Sequence, residues 1–248
     1  GWQWSGGFSD MAATHESRTR FIQSAIDFIA KYDLDGLDVD WEYPGMAGST
    51  NNFRPQDRHN YTALLAELRA ALDRQSRIMH RKLYLTIAAG ASPDFLEHTE
   101  MRKVAGLVDP VNLMSYDYYE PGSEPITGHH APLFTNPRDP EKVSADASVG
   151  EFEKAGVPAS KLLLGIPFYG HVWVNVPPVD DGLYQPGKAG FQTGAPFSAI
   201  PAMLDNGFVR PWDPVSDVPW LYNPSTRRFV SYEDPQSIRS EERRVGKE

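Results

Sequence analysis

Apolar residues fall at helical spacing along "THESRTRFIQSAIDFIAKY", where Phe21, Ala25, Phe28, Ile29 and Tyr32 form a stripe behind Thr14, a suitable N-cap. A second helical stripe carries Tyr61, Leu64, Leu65, Leu68 and Leu72. Between them, residues 34–42 read as a strand, followed by a polar, Gly- and Asn-rich loop from Gly45 to about Pro55. Further along, "KLYLTIAAG" (82–90), "VNLMSYDYY" (111–119) and "KLLLGIPFYG" (161–170) predict strands. The segments "DFLEHTEMRKVAGLV" and "EKVSADASVGEFEKAG" predict the helices between them. This alternation predicts an α/β fold of βα units around a parallel sheet of four strands, with "GWQWS" as the stub of another.

From Val172 the rhythm breaks. Residues 172–232 are rich in Pro, Gly and aromatics and include a hairpin, "PWLYNPSTRRFVSY", so they predict a small α+β insertion. Three stretches result: 1–171 with the βα units, 172–232 as the insertion, and 233–248 as a return to the first body. The final stretch ends in "EERRVGKE", which has no apolar periodicity and reads as a disordered or foreign tail.

Composition narrows the function. The 248 residues carry a formal net charge of -9 and no basic patch, which argues against nucleic-acid binding. Cysteine is absent, which removes disulfides, thiolate metal sites and a Cys nucleophile. No apolar run approaches the ~20 residues of a membrane-spanning helix. The seven His show no H-E-x-x-H or similar ligand spacing, and His129-His130 read as a hydrogen-bonded loop. No metal or cofactor is expected.

The candidate chemistry lies in "DGLDVDWEYPG" (35–45). Alternate strand residues share a face about 6.6–6.8 Å apart. Leu37, Val39 and Trp41 therefore point one way, toward the flanking helices, and Asp38, Asp40 and Glu42 the other. Stacked acids cannot all stay ionised cheaply, so at least one should hold a proton near neutral pH. Glu42 stands at the C-terminal end of the strand, where parallel α/β folds place their sites, and is the candidate general acid. For an arbitrary D-x-D-x-E, an acidic edge strand facing water or a divalent-cation site is the better reading. The flanking aromatics and the βα context turn the reading toward catalysis.

D-G-L-D-V-D-W-E-Y-P resembles the D-x-x-D-x-D-x-E signature of glycoside hydrolase family 18, the chitinases. "LMSYD" (113–117) resembles the family's Met-x-Tyr-Asp motif, and "GWQWSGGFSD", "PITGHHAPLF", "KLLLGIPFYG" and "VPWLYN" resemble stretches of bacterial chitinases. The resemblance implies a (β/α)8 TIM barrel, with the insertion following the seventh strand. In this chain the barrel would be incomplete, lacking strands one, two and eight. The implied consequence is a chain that is poorly stable and weakly active alone.

The implied reaction is retaining, substrate-assisted hydrolysis of β-1,4-linked N-acetylglucosamine polymers. Glu42 would be the acid, and Asp40 would hold the acetamide and share a proton with Asp38. Asp35 would support the strand, Tyr116 would bind the acetamide, and Asp117 would stand beside it. Trp2, Tyr43, Tyr169 and Trp220 are the expected sugar-stacking walls, with Ala88 and Met114 on the floor. Trp4, Trp41, Trp173 and Trp212 are expected in packing. His171 stands where arginine often follows Tyr-Gly. The partner would be chitin or chitooligosaccharides, with no membrane or nucleic acid involved, and the enzyme a secreted monomer. Two rivals share the fold: an endo-β-N-acetylglucosaminidase acting on N-glycans, and an inactive chitin-binding lectin. Such lectins usually lose the terminal Glu, which Glu42 retains.

Overall fold

The computed structural model describes residues 1–49 and 51–245. The chain divides into two compact units, Gly1–Met114 with Val149–Leu164, and Ser115–Ser148 with Gly165–Glu248. No helix among the described residues is long and apolar enough to cross a membrane.

The first unit is α/β. After a short α1 (Phe8–Ala12), α2 (His15–Tyr32) starts at a reciprocal cap in which the Ser17 N–H donates to Thr14 Oγ1 at 3.1 Å. Its buried stripe is shifted from the expected one. Ile22 and Ile29 are buried with Phe21 and Ile26 against them, whereas Phe28 and Tyr32 meet each other at a tilt on the surface. Strand β1 (Gly36–Val39) follows, then α3 (Asp57–Met79), whose Tyr61, Leu64, Leu65, Leu68 and Leu72 are all buried as expected. Next come β2 (Tyr84–Gly90), the short α4 (Pro93–Glu97) and α5 (Met101–Val104), β3 (Val111–Met114), α6 (Ala145–Lys154), which belongs to this unit from Val149 onward, and β4 (Leu162–Leu164).

The four strands form one parallel sheet in the order β1-β2-β3-β4. The single helix expected over 94–108 is instead two, because the chain turns at His98–Glu100, where the Thr99 hydroxyl donates to Phe95 O at 2.7 Å. "GWQWS" is not a strand either: its Ser5 opens a single 3-10 turn, and Trp4 stands 86% exposed rather than packed.

The apolar residues of β1, β2 and β3 join α3 in one core with Phe95 and Phe152. Trp41 completes it, stacked on Phe8 (centroids 5.4 Å apart) and edge-on to Tyr61 (5.7 Å). The start of α3 is fastened by Asp57, which is fully buried. It accepts hydrogen bonds from the Ser9 hydroxyl (2.8 Å) and the Arg54 N–H (2.7 Å), which anchors the loop before the helix. Asp35 supports the start of β1, as expected, by pairing with Arg81 while its carbonyl accepts the Tyr84 N–H.

The second unit is built on an antiparallel sheet, ordered β6-β5-β9-β8-β7. Its elements are β5 (Tyr169–Val174), β6 (Lys188–Pro196), α7 (Pro201–Leu204), β7 (Trp212–Asp213), β8 (Val218–Asn223), β9 (Arg228–Ser231) and α8 (Pro235–Val245). The hairpin expected in "PWLYNPSTRRFVSY" is β8–β9, and Asn223 Oδ1 closes its turn by accepting the N–H groups of Ser225 and Thr226 at 3.0 Å.

The expected boundary at Val172 moves to Gly165, and antiparallel pairing of β5 with β6 begins at Tyr169. The stretch 161–170 is therefore not one strand, and Pro167, which has no N–H to give to a ladder, lies in the break. Residues 115–148, expected in the first body, also belong to this unit.

The tail expected to be disordered continues as helix α8 to Val245, with Ser237 and Glu241, one turn apart, buried on one face. Residues 246–248 lie outside the described ones. Neither Glu233 oxygen nor Glu241 Oε2 has a hydrogen-bond partner among the described residues. Burial, and for Glu233 also the Glu241 charge, raises both carboxyls, Glu241 to about 7. The folded chain thus holds protons that the unfolded chain releases near pH 4.5. The stabilisation is complete below that pH and is lost as pH rises through about 7. Glu241→Gln is therefore expected to gain on the order of 1–3 kcal/mol over the parent at pH 8, and little at pH 5. Thermal melts at the two pH values check this, and parallel curves would refute it.

Candidate active site

The acidic face belongs to the first unit. Val39 and Trp41 are buried toward the helices, while Asp38 is exposed and Asp40 and Glu42 half-buried on the opposite face. The alternation expected from the sequence therefore holds, although β1 ends at Val39 and Asp40–Glu42 continue beyond it. Parallel register sets Asp38 against Thr86, and Ala88 against Asn112. The Thr86 hydroxyl donates to Asp38 Oδ1, and Asn112 Nδ2 donates to the same oxygen at 2.9 Å. Thr86, Ala88, Asn112 and Met114 thus share the face of the acids.

No hydrogen bond joins Asp38 to Asp40 among the described residues. Asp40 Oδ1 is a buried acceptor with no partner among them. The Glu42 backbone is pinned by its N–H donating to Ser5 Oγ at 2.9 Å. Burial, reinforced by the neighbouring Asp40 charge, raises the Glu42 carboxyl above its ordinary range. A carboxyl raised in this way can carry a proton at the pH where Asp and Glu are normally ionised, which is what a general acid needs.

Beside Glu42 lies an aromatic group. Tyr43 contacts Trp2 (centroids 6.3 Å apart) and Phe95 (6.1 Å), and Trp2 is 49% exposed. Asn51 fastens the following loop, donating to the carbonyls of Tyr43 (3.3 Å) and Met46 (3.0 Å).

The Tyr-Asp pair belongs to the second unit. Asp117 takes the left-handed conformation (φ 60), which Asp tolerates better than most residues. Its Oδ2 accepts from the Tyr169 hydroxyl at 2.7 Å, and its Oδ1 lies 2.7 Å from His171 Nε2. The Tyr169 ring meets Tyr116 edge-on at 6.3 Å. Fully buried His130 is held by its N–H donating to Ser231 Oγ at 2.8 Å and by its carbonyl accepting the Tyr118 N–H at 3.1 Å.

A Cβ on Gly128 would meet the Tyr119 ring at 2.4 Å, so only glycine lets this loop lie against that tyrosine. Burial works against the Asp117 charge, but His130, His171 and the Tyr169 hydroxyl outweigh it and hold the carboxyl well below its usual range. Burial pushes His130 down to about 4, against the opposing pull of Asp117.

Residues 1–245 match the family described as Glycosyl hydrolases family 18. The chain belongs to that family. A chitinase A1 from Niallia circulans is 40% identical to the family-18 chain over 96% of its length, and a chitinase from Aphanocladium album is 30% identical over 96%. The chain spans 36% and 55% of these two curated relatives. Among solved structures, a family 18 N-acetylglucosaminidase from Paenibacillus barengoltzii is 41% identical with a TM-score of 0.92, covering 99% of this chain and 72% of its own. A Bacillus thuringiensis chitinase is 35% identical with a TM-score of 0.93, covering 99% and 43%.

Within the family-18 chain, Asp38, Asp40, Glu42, Ala88 and Met114 share one face, with Tyr43 following Glu42 and Trp2 against Tyr43. Tyr116, Asp117 and Tyr169 come together in the second unit. Trp220 does not form a sugar-stacking wall. It is 7% exposed in an aromatic core, and its Nε1 donates to Asp181 O at 2.9 Å. All six residues of β8 are buried, so neither of its faces is open. Trp41 and Trp173 are packed as expected.

The sequence reading missed Thr86 and Asn112, although they interrupt apolar strands at the same alternate positions that flagged the acids. It also missed the clustering of His130 and His171 on Asp117. His129, by contrast, is a loop tie as expected, buried 3.2 Å from Asp213 Oδ2.

Proposed function

We propose that this chain carries the catalytic residues of a chitinase that hydrolyses β-1,4-linked N-acetylglucosamine polymers with retention, using the substrate's own acetamide as nucleophile. The observation that carries the reading is Glu42, a carboxyl raised by burial on a polar face and followed by aromatics. Family membership and the 40% identity to a chitinase support it.

Glu42 gives its proton to the glycosidic oxygen as that bond breaks. The acetamide carbonyl oxygen closes on the anomeric carbon, forming an oxazolinium-like intermediate that water then opens, with Glu42 taking the proton back. Asp40 Oδ1, buried and without a partner among the described residues, is the acceptor for the acetamide N–H, and its negative charge stabilises the intermediate. Asp38, tied by Thr86 and Asn112, shares a proton with Asp40 as the cycle proceeds. Through the motif they carry, Tyr116 is assigned to the acetamide and Asp117 to the support of the tyrosines. Trp2, Tyr43 and Tyr169 supply flat faces for sugar rings.

The four parallel strands are read as part of a (β/α)8 barrel, supported by family membership and the structural likeness. An insoluble polymeric substrate places the working enzyme outside the cell.

A second reading, release of single N-acetylglucosamine units, is favoured by the likeness to the Paenibacillus enzyme. Digestion of chitohexaose beside a high-mannose glycopeptide separates the readings. Oligomeric products from chitohexaose alone are expected, monomer only would support the second reading, and cleavage of the glycopeptide core would support the N-glycan rival. The chitohexaose rate should fall as pH rises through the raised pKa of Glu42, because the acid must be protonated to act. A rate that stayed flat from about pH 4.5 to pH 9 would remove Glu42 as the acid.

A further inference from the structure

We propose that Asp117, His130 and His171 form a binding site for one divalent transition-metal ion of the zinc class. The three residues are far apart in sequence and show no ligand spacing, yet the fold brings one donor atom of each to within 4.8 Å of the others. In a tetrahedral zinc site with bonds near 2.0–2.1 Å, donor atoms stand about 3.3 Å apart. Here His171 Nε2 lies 2.7 Å and His130 Nδ1 3.5 Å from Asp117 Oδ1, so small side-chain shifts admit an ion.

A second, independent observation points the same way. His130 is fully buried, and neither of its ring nitrogens has a hydrogen-bond partner among the described residues. A buried polar group in that state costs free energy, and ligation through Nδ1 would relieve it, leaving the proton on Nε2. Glu120 Oε1, 3.8 Å from His171 Nε2, stands ready as a fourth ligand or as the anchor of a bound water. The Tyr169 hydroxyl, donating to Asp117 Oδ2, orients the ligating carboxylate as outer-shell partners do.

Two imidazoles and one or two carboxylates select zinc, cobalt, nickel or copper over magnesium or calcium, and the negative carboxylates match a doubly charged ion. The site rests on ligand geometry and not on the hydrolytic reading. That reaction requires no metal, so either proposal can fail without the other.

The test uses the whole chain, stripped with EDTA, titrated with zinc chloride by calorimetry and with cobalt(II) by visible absorption. One ion per chain is expected, with a dissociation constant on the order of 10 µM or tighter, and with cobalt bands of low coordination number. His171→Gln and Asp117→Asn should each weaken zinc about 100-fold or more, and Tyr169→Phe, touching only the outer shell, about 10-fold. His130→Gln should also abolish binding. Because its site is buried and the variant could misfold, the partly exposed His171 and Asp117 decide the matter, with circular dichroism confirming that those variants fold. No binding at about 100 µM zinc, or equal binding in the folded His171→Gln and Asp117→Asn variants, would overturn the site.

Discussion

Replacing Glu42 by Gln is expected to lower kcat/KM on chitin oligomers by about 10²–10⁴-fold while leaving oligomer binding and the melting temperature near those of the parent. Gln has the shape of Glu but no acidic proton, so the leaving oxygen must depart as a poorly stabilised anion. Binding should survive because the stacking surfaces of Trp2 and Tyr43 do not change. Stability should survive because the backbone tie of residue 42 runs through its N–H to Ser5. Steady-state kinetics and calorimetric titration with chitin oligomers, on parent and variant alike, provide the measurement. Turnover equal to the parent would remove Glu42 from the mechanism, and equal loss of binding and turnover would demote it to a binding residue.

One residue earlier, Trp41→Ala is expected to cost about 3–5 kcal/mol of stability, a large share of what an ordinary domain has. Trp41 is 1% exposed and wedged between Phe8 and Tyr61, so truncation leaves a cavity that two aromatic neighbours cannot close without moving. Its indole N–H has no hydrogen-bond partner among the described residues, so the loss is one of volume and contact rather than polar pairing. Trp41→Phe should therefore recover much of the stability. Urea unfolding of the three proteins measures the series. An alanine variant within 1 kcal/mol of the parent would mean that this core relaxes freely, contrary to the packing described.

The helical stripe of α3, the four parallel strands and the two-sided character of the acidic stretch were legible because each rests on a short-range period that burial enforces. The failures have equally physical causes. Trp220 sits in a stretch that resembles one of bacterial chitinases, but alternation carries no information in a strand buried on both faces. The last turns of α8 carry few apolar residues, and the carboxyl of Glu241 takes a buried position that an apolar residue would normally occupy. Pro167 marks the break in 161–170 locally, but which partner each half finds, parallel β3 or antiparallel β6, is a tertiary choice that no local pattern encodes. The meeting of His130 and His171 on Asp117 was out of reach for the same reason, since it is a product of tertiary contact.

The pairing of Asp38 with Thr86 in the β1–β2 register carries a consequence for how faithfully the sheet must assemble. Because side chains alternate, sliding β1 by one residue would turn Val39 and Trp41 outward and press the acids against the helices. Each buried, unpaired carboxylate would cost several kcal/mol, on top of the lost apolar contacts. A misassembled sheet is thus penalised twice, by the same residues that give the correct one its chemistry. Molecules that pass this filter have, by the same hydrogen bonds, already put their acids where they can act.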